Sequence, residues 1–483
     1  MLNYIWLGLI LLAVLIGGAT GKMEEVTGGA FDSAKTAVTL ALSLIGVMAL
    51  WLGVMRLAER SGLVQVIARG LRPIMRWLFP EVPPEHPAMG SMVMNMAANM
   101  LGLGNAATPL GLRAMAHLEK LNPHPGTATN AMCTFLAINT SSIQLIPATT
   151  VALLSAAGSV RPSAIIGTAL LATTCSTIVG ITVVKLLEKL PGKRVLPDQP
   201  SSGKVEADQP AAAPEVIEEP PRLLDWKGRT ALGLLAAFFA WLFITQTFPA
   251  NALQPGQVRV APTPQTAVIG QLANESATEI SVRLENGSVQ VLPKAQSVAI
   301  SRYEHPALRA VQAISILAVP LLLSVFPLYA ALRGLKVYEE FVEGAKEGFH
   351  VAVRVIPYLV TMLVAIGMFR ASGGIAMITN ALRPALAFVG FPPELLPLAL
   401  MRPLSGSGSN ALFADLITAF GPDHLLTRMG GTIMGSTETT FYVIAVYFGA
   451  VAVRRTRHAI AAGLAADVAG VAASVAICTL LFR

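Results

Sequence analysis

The chain has 483 residues, of which 54% are hydrophobic and 13% are charged. Soluble proteins contain about 25% charged residues, so the composition argues against a soluble protein and predicts one that resides in a membrane. The formal net charge is +7. In a membrane protein such an excess normally reflects the charge of cytoplasmic loops, so it does not indicate nucleic-acid binding.

Several apolar runs are long enough to cross a bilayer, which requires about 20 residues. In chain order these runs are 2–19, 37–57, 164–187, 231–248, 308–332, 351–369 and 460–482. The first run could pass for a signal peptide, but it lacks a basic region before it, and Gly17-Gly18-Ala19 is a poor cleavage site. We therefore interpret it as a retained first helix.

Two segments differ from this membrane-type sequence. Segment 191–228 begins with a stretch rich in Pro, Ala, Ser and charge, which predicts a flexible linker. In segment 254–304, apolar and polar residues alternate on both sides of Asn286-Gly287. Asn-Gly between alternating runs is a strong hairpin signal. We therefore expect a small β module between two membrane helices, acting either as a stabilising cap or as a partner-binding module.

The membrane-type sequence is repeated. Residues in the first half recur 311 positions later, namely Lys35, Gly62, Leu71, Arg72 and Pro73 as Lys346, Gly373, Leu382, Arg383 and Pro384. Further on, GLGNA at 102–106 is echoed by GSGSNA at 406–411, and AINTSS at 137–142 by MGSTET at 434–439. Two copies of an apolar unit, each interrupted twice by small polar residues, are typical of membrane proteins with a small-molecule site between repeats.

The distribution of Lys and Arg predicts how the two copies are oriented. The arginines that follow run 37–57 predict a cytoplasmic loop, and so do the Lys and Arg residues at 189–194 and the arginines at 454–457. With these anchors Lys35 lies outside, whereas its repeat partner Lys346 lies inside. The same reasoning places the linker 191–228 in the cytoplasm and the β module outside. The pattern therefore predicts an inverted repeat, related by an axis in the membrane plane.

Each copy contains two breaks. Non-helical backbone persists at membrane depth only inside protein or beside a water-filled cavity. In the first copy we expect a re-entrant hairpin, interrupted at Gly104 and restarting near Thr108-Pro109. In the second copy the segment 402–410 has the same character. The polar residues at the four breaks are our candidate substrate-binding residues: Asn99, Asn105, Thr108, Asn139, Thr140, Ser141, Ser142, Gln144, Ser405, Ser407, Ser409, Asn410, Ser436, Thr437, Glu438 and Thr439.

Glu438 is the sharpest of these candidates, because apolar sequence flanks it on both sides. A carboxylate at that depth is costly and usually faces a cavity or a partner. One interpretation is a structural pair with Arg402 or Arg428, or a glutamic acid kept neutral by burial. The other is a ligand or proton site. For the hydroxyl residues the alternative is helix–helix packing, which suits a single Ser or Thr better than four clusters at matched positions.

Other kinds of site receive little support. The histidines His86, His117 and His124 lack the spacing of metal ligands, the three cysteines form no metal motif, and the GxxxxGK[ST] phosphate loop is absent. The run Gly406 to Ser409 suggests a serine nucleophile, with Asp415 and His424 nearby, but no triad is evident. We expect no cofactor, no metal site and no enzymatic activity.

At the level of motifs the two halves resemble known families. MNMAANMLGLGNAATPLGLRAM and TFLAINTSSIQLIP resemble the bacterial spore maturation protein A family. MRPLSGSGSNALFADLITAFGPD and GGTIMGSTETTFYVIAVYFGAV resemble spore maturation protein B. The chain looks like a fusion of the two, and the resemblance leaves out 191–305. Both halves also resemble the nucleoside recognition, or gate, domain. Similar domains form the gate of the ferrous-iron transporter B family and the repeats of concentrative nucleoside transporters, in which re-entrant hairpins and broken helices hold the substrate.

Together these observations predict an all-α polytopic membrane protein of two inverted gate-domain repeats, with a small extracytoplasmic β module. The expected parts are a first repeat at 1–190, a linker at 191–228, a membrane helix at 229–253, the β module at 254–304 and a second repeat at 305–483. The expected function is a secondary transporter or channel for a small polar solute in the inner membrane. The alternative is a membrane scaffold or envelope or spore-maturation factor. A homo-oligomer, or an envelope partner bound through the β module, is compatible with the sequence.

Overall fold

The fold is described by a computed structural model. It covers residues 2–102, 104–141, 143–189, 224–249, 253–255, 257–263, 266–276, 278–284, 286–293, 299–388 and 390–482. These residues form seventeen α-helices and five β-strands, so the expectation of a mainly helical membrane protein with a small β insert is confirmed. The linker expected at 191–228 lies mostly outside the described residues, and α9 begins at Trp226.

The first half of the chain forms helices α1 to α8. They are Leu2–Thr20, Met23–Arg60, Leu63–Leu78, Pro87–Met100, Gly104–Lys120, Asn130–Ser141, Ala148–Ala156 and Ile165–Glu188. The second half forms α9 to α17. They are Trp226–Thr247, Pro306–Leu332, Val337–Ala371, Gly374–Phe388, Leu396–Met401, Gly406–Phe420, Leu425–Ser436, Thr440–Ala450 and Ala459–Phe482. Every predicted apolar run falls on a helix.

Five helices within the described residues are long and apolar enough to cross a membrane: Met23–Arg60, Pro162–Glu188, Trp226–Thr247, Pro306–Leu332 and Ala459–Phe482. A sixth span results if Leu359–Ala371 and Gly374–Pro384, which bend by 70° at a short break, count as one. The predicted run 2–19 gives a shorter apolar helix, Trp6–Thr20. The chain is therefore a multi-pass membrane protein.

The 311-residue repeat is visible in the backbone. Helices α2 and α3 meet at Gly62, and α11 and α12 meet at Gly373, which stands 311 positions later. Gly62 has a φ of 80° and Gly373 a φ of 87°. Side chains other than glycine rarely adopt this left-handed conformation, so each glycine allows one helix to end and the next to begin at once. The recurring glycine is thus a structural requirement of the unit.

Helices α2 and α11 pack against each other in opposite directions. A Cβ atom at Gly344 would lie 2.9 Å from the Cβ of Arg56, and one at Gly367 would overlap the side chain of Ser33. Gly344 is the repeat equivalent of Ser33, and Gly367 is the repeat equivalent of Arg56. The pair Gly344–Arg56 and the pair Gly367–Ser33 are therefore equivalent positions with the two copies interchanged. A two-fold axis that relates α2 to α11 requires such a pair of equivalent contacts. This geometry matches the predicted inverted repeat.

The rest of the membrane core is built by long helices around the broken ones. Helices α8 and α17 pack on each other, and α6 and α15 each pack on both of them. Small residues permit the close approach: a Cβ at Gly180 would lie 3.1 Å from Ala466, and one at Gly435 would lie 2.8 Å from Ala169. Small residues at helix interfaces are the usual device in membranes, and here they bring the breaks of both repeats together.

The β module is a five-stranded antiparallel sheet in the order β4-β3-β2-β1-β5. The strands β1 to β5 are Gln257–Thr263, Thr266–Glu275, Glu279–Arg283, Val289–Pro293 and Ala299–Arg302. The predicted Asn286-Gly287 turn joins β3 to β4, and Gly287 has a φ of 83°. Its small core comprises Val258, Val260, Ile280, Val282 and Leu292.

In β4 the residue that faces the core is not the one that the apolar alternation in the sequence predicts. Val291 lies opposite Ser281 and is 53% exposed, whereas Leu292 lies opposite Ile280 and is 7% exposed. Because residues paired across two strands share one face of the sheet, the inward position in β4 belongs to Leu292. The side of the membrane on which this module lies remains a prediction.

Candidate functional site

The first break lies between α4 and α5. Helix α4 ends at Met100, Gly102 has a φ of 75°, and α5 already begins at Gly104. The expectation of a restart near Thr108-Pro109 is therefore wrong, because Pro109 lies inside α5. The left-handed glycine at 102 ends the helix, and the chain can resume helical geometry two residues later. Thr108 is half-buried in α5, and the side chain of Asn105 lies outside the described residues.

The second break of the first copy separates α6 from α7, between Ser141 and Ala148. Its non-helical segment is held against the first break, since the N–H of Leu145 donates to the carbonyl of Met100 at 2.9 Å. Ser142 lies outside the described residues. Polar backbone at this depth is thus satisfied by the other break of the same copy, as the bilayer requires.

The second copy repeats this arrangement with different residues. Helix α13 ends at Met401 and α14 begins at Gly406, where the Ser405 hydroxyl accepts from the N–H of Gly408 as an N-cap. Helix α15 ends at Ser436 and α16 begins at Thr440. Between these breaks the N–H of Phe441 donates to the carbonyl of Pro403 at 3.0 Å. Each copy therefore has two breaks joined by a backbone hydrogen bond.

The breaks of the two copies also meet each other. The N–H of Glu438 donates to the carbonyl of Thr140 at 2.8 Å, and the Gln144 amide donates from Nε2 to Oε1 of Glu438 at 3.2 Å. The structure thus brings Thr140 and Gln144 of the first copy to Glu438 of the second. These residues are 294 or more positions apart in sequence, so the inverted arrangement of the copies is what joins them.

A cavity of about 360 Å³ lies at this meeting point and is lined by both copies. Four of the predicted residues line it: Gln144, Asn410, Glu438 and Thr439. The wall also includes residues of α2, α7 and α11, among them Trp51, Met55, Arg56, Glu59, Thr149 and Glu347. The lining therefore combines apolar side chains with several charged groups, which is the usual composition of a site for a small polar molecule.

Arg402 organises the charge beside the cavity. It is 6% exposed, and its guanidinium donates to the carbonyls of Met434 and Thr437, which belong to the end of α15. A cation at a helix C-terminus is favourable because it meets the negative end of the helix dipole. The carboxylate of Glu438 is farther away, with Oε2 at 3.8 Å from the guanidinium. Arg402 is thus primarily a helix cap.

Two arginines were expected as structural partners of Glu438. Arg402 lies 3.8 Å from its carboxylate. Arg428 instead forms an ion pair with Asp423 at 3.6 Å. The side chain of Glu438 is 33% exposed, whereas that of Arg402 is 8% exposed. Both residues line the cavity, and the carboxylate is the more exposed of the two, so Glu438 is accessible to a ligand.

The amides of the first copy bond to one another. Asn99 donates from Nδ2 to Oδ1 of Asn139 at 2.8 Å, and Asn139 donates to the carbonyl of Phe135 at 2.9 Å. Asn95 donates to the carbonyl of Ala107 at 2.7 Å and to the hydroxyl of Tyr447 at 3.3 Å. This buried amide chain ties α4, α5, α6 and α16 together, and neither Asn99 nor Asn139 lines the cavity.

Five of the predicted hydroxyl residues bond to backbone carbonyls of the preceding helical turn. Thr140, Ser141, Ser409, Ser436 and Thr437 each donate to a carbonyl three or four residues earlier, and all five are buried. Ser407 is half-buried and lies 3.3 Å from the Ser405 hydroxyl. For the five buried residues the geometry corresponds to the helix-packing alternative, because their hydroxyls satisfy the ends of broken helices.

Sequence reasoning missed several charged residues of this region, namely Arg56, Glu59 and Glu347 of the cavity wall and Asp467 of α17. Asp467 is 4% exposed and accepts at Oδ2 from the Thr440 hydroxyl at 2.7 Å. The argument that singled out Glu438, a carboxylate in apolar sequence, applies equally to Asp467 and could have found it. Trp51 carried no such signal, because an indole in an apolar helix is ordinary.

The residues that suggested a serine hydrolase are engaged in other contacts. Asp415 forms an ion pair with Arg370. The ring of His424 accepts from the N–H of Leu426 as the N-cap of α15. Ser407 stands at the start of α14, two turns before Asp415.

Comparison with known proteins gives matches in both copies. A family model described as "Gate: Nucleoside recognition" matches residues 41–158 and 352–454. Spore maturation protein A of Bacillus subtilis (strain 168) is 44% identical over 183 residues, covering 38% of this chain and 93% of that protein. Spore maturation protein B of the same organism is 46% identical over 169 residues, covering 35% of this chain and 95% of that protein. The two match different parts of the chain, and no solved structure matches.

Proposed function

This chain belongs to the family of spore maturation proteins A and B, and we propose that it is a secondary transporter or channel of the inner membrane for a small polar solute. The observation that carries the proposal is the cavity of about 360 Å³, which is lined by the breaks of both copies. Pockets of about 300–1,000 Å³ hold small organic molecules. We further propose that the protein acts on its solute without chemical conversion.

The chemistry of the cavity supports a solute with several hydrogen-bonding groups. Gln144, Asn410 and Thr439 supply neutral donors and acceptors, and Glu438 supplies a carboxylate. The apolar part of the wall includes Trp51, Met48 and Met55 of α2. A nucleoside or an amino acid combines apolar and polar surfaces in this way, so both classes belong in the first screen.

The position of the cavity supports an inward-open state. Its α2 wall is the C-terminal half of that helix, ending at Glu59. The arginines that follow α2 predict that this end is cytoplasmic. In an inverted repeat, each copy can adopt the conformation that the other copy now has. This change would close the cytoplasmic opening and form an equivalent opening on the other side of the membrane. The α11 wall of that second opening would run from Leu359 to Arg370, which stand 311 positions after Met48 and Glu59.

The alternative function is a membrane scaffold or spore-maturation factor. Its support is the buried amide chain and the internally bonded hydroxyls, which need no ligand to be satisfied. The two functions differ in one respect that can be measured, because a scaffold has no reason to bind a solute at Glu438.

The test is a thermal-shift screen of the purified protein with nucleosides, amino acids, dicarboxylates and divalent metals, followed by uptake into proteoliposomes of any compound that binds. We expect one class to raise the melting temperature of the wild type but not that of Glu438→Gln. Glu343→Gln is the matched control, since Glu343 pairs with Lys346 outside the cavity. Absence of binding across all four classes would favour the scaffold.

A further inference from the structure

A second carboxylate lies at membrane depth, behind the cavity. Asp467 stands in the middle of α17, Ala459–Phe482, which is otherwise apolar and of spanning length. It is 4% exposed and is not among the residues that line the cavity. An ionisable residue inside a membrane helix is costly and is a functional-site hypothesis by default. What Asp467 contacts decides which function it serves.

The contacts of Asp467 are with the broken helices. Oδ2 accepts from the hydroxyl of Thr440, the first residue of α16, at 2.7 Å. Oδ1 is buried and has no hydrogen-bond partner among the residues that the structure describes. One turn before, a Cβ at Gly463 would lie 2.8 Å from Thr440 and 3.3 Å from Thr140. Asp467 therefore sits where α17 touches the breaks of both copies.

The charges around Asp467 leave it without a direct counter-ion. The guanidinium of Arg402 is near enough to attract its negative charge, and the carboxylate of Glu438 is near enough to repel it. Helices α6, α8, α15 and α16 pack on α17, and from these helices hydroxyl groups such as those of Ser176 and Thr440 face it. Asp467 forms no ion pair within the described part of the chain, and the Arg402 guanidinium already serves two carbonyls. An ionised Asp467 would therefore be a buried charge that is not directly paired.

The surroundings of Asp467 indicate which cation neutralises it. A metal ion takes several oxygen ligands, and among the described residues no group of three or more His, Cys, Asp or Glu side chains could hold one. A Cβ at Gly470 would lie 2.6 Å from Thr437, and one at Gly463 would lie 2.8 Å from Thr440, so α17 packs tightly against the second-copy break one turn before and one turn after Asp467. A proton needs no set of ligands, and it removes the charge from the carboxyl group directly.

We propose that Asp467 is a proton-binding residue that couples protonation to the closure of the two breaks. With the breaks closed, Oδ1 carries the proton, and Thr440 donates to Oδ2. When the segment 437–440 moves and water enters, the Oδ1–H bond breaks, the proton passes to water, and the carboxylate remains. The proposal rests on the proposed function in one respect, that this motion opens and closes the solute cavity.

The first test detects the proton itself. Infrared spectra of the purified protein near pH 7 should contain the carbonyl band of a buried, protonated carboxylic acid, because exposed carboxyl groups with a pKa of about 4 are ionised there. Asp467→Asn should lose the band while keeping the side chain's shape. Asp423→Asn is the control and should retain it. A spectrum without the band, or a band that survives in Asp467→Asn, would overturn the proposal.

Thr440→Val supplies a second variant should Asp467→Asn not fold. It removes the hydrogen bond to Oδ2 but keeps the carboxyl group, so the band should shift in frequency without disappearing. A band that stays unchanged in Thr440→Val would contradict the assignment to Asp467.

The second test measures the coupling. In a variant without the native cysteines, Thr149→Cys reports the opening of the cavity through its rate of reaction with a maleimide. This rate should change by about 5-fold or more between about pH 6 and about pH 8, the lower end of ordinary coupling energies. The pH dependence of this rate should vanish when Asp467→Asn is added. A pH dependence that persists in that variant would contradict the proposed coupling. Neither test uses a solute. The binding screen can therefore contradict the proposed function while the role of Asp467 is upheld, and these two tests can contradict the role of Asp467 while the proposed function is upheld.

Discussion

The two repeats share their backbone but not their charge. In both copies, paired breaks are joined by a backbone hydrogen bond, from Leu145 to Met100 in the first and from Phe441 to Pro403 in the second. The first copy fills its breaks with amides that bond to one another, as in Asn99 and Asn139. The second copy places Arg402 and Glu438 there, and Asp467 lies behind them.

This difference separates the parts of the molecule that hold the fold from those available for chemistry. A neutral amide chain that satisfies itself stabilises the junction and leaves nothing for a ligand. The Glu438 side chain is 33% exposed and lines the cavity, so its carboxylate is accessible to a ligand. The symmetric features are therefore the scaffold, and the asymmetric charges of the second copy are the candidate site.

The largest effect is expected from Arg402→Ala. It leaves the carbonyls of Met434 and Thr437 unpaired and Glu438 without its counter-charge, and removing one partner of a buried charged network costs about 3–5 kcal/mol. We expect the melting temperature in detergent to fall sharply or the folded protein to be lost. Arg383→Ala, on an exposed position of α12, is the control and should behave as the wild type. Equal stability of both variants would mean that the second copy does not depend on its charge.

Glu438→Gln should leave the protein folded and inserted but weaken solute binding. A hydrogen bond to a charged group contributes about 1.5–3 kcal/mol, so affinity for a compound found in the screen should fall by about tenfold to about a hundredfold. Titration calorimetry of both proteins measures this. Unchanged affinity would make Glu438 a neutral packing residue, and unfolding would make it half of a structural pair with Arg402.

Asn139→Ala should show the opposite profile. It removes the acceptor that lies 2.8 Å from the Nδ2 of Asn99 and the amide that donates to the carbonyl of Phe135. Losing these hydrogen bonds costs about 1–3 kcal/mol, while solute affinity stays the same. A double-mutant cycle with Asn99→Ala should give a coupling energy of about 0.5–3 kcal/mol. Loss of affinity at constant stability would show that the amide chain itself takes part in binding, and the division into a structural amide chain and a charged site would fail.

The smallest effect concerns an exposed contact between the copies. Asp423, in the loop before α15, accepts from the Ser159 hydroxyl and the N–H of Val160, each at 2.8 Å. Burial acts to raise the pKa of Asp423, but these hydrogen bonds and Arg428 outweigh it and hold the pKa below its usual value. The contact therefore stabilises the fold above an ordinary Asp pKa of about 3.9 and loses its effect as pH falls through the lowered pKa.

Asp423→Asn tests whether the pKa of Asp423 is lowered and the contact therefore stabilises the fold at neutral pH. Its melting temperature should lie slightly below that of the wild type near neutral pH, and the gap should narrow as the solution is acidified. A gap that widens with acidification would show that the pKa of Asp423 is raised instead.

Much of this organisation could be predicted from sequence because it repeats. The shared offset of Gly62 and Gly373 predicted equivalent helix junctions, and small polar residues in apolar sequence predicted the positions of the breaks. The orientation of hydroxyls could not be predicted, since Ser and Thr in a helix bond as readily to a preceding carbonyl as to a ligand. For this reason Ser141, Ser409 and Ser436 resembled Gln144 in sequence, and only the fold distinguishes them.

Two further features depended on tertiary structure. The restart of α5 at Gly104 follows from a left-handed glycine two residues earlier, which outweighs the signal of Pro109. In the β module, Leu292 rather than Val291 faces inward because β3 determines the register. In both cases the local sequence pattern predicted a position that was wrong by a few residues, because a neighbouring part of the structure determines that position.

The central claim is that a solute binds between the two repeats, and cysteine protection tests it most directly. Ala148→Cys reports the first-copy wall and Asn410→Cys the second-copy wall, whereas Val160→Cys, at a residue 85% exposed, reports a distant loop. Each is reacted with a maleimide with and without the compound that most raises the melting temperature. The account predicts that labelling slows at both walls and is unchanged at Val160→Cys. Stabilisation of the protein without protection at either wall would contradict it.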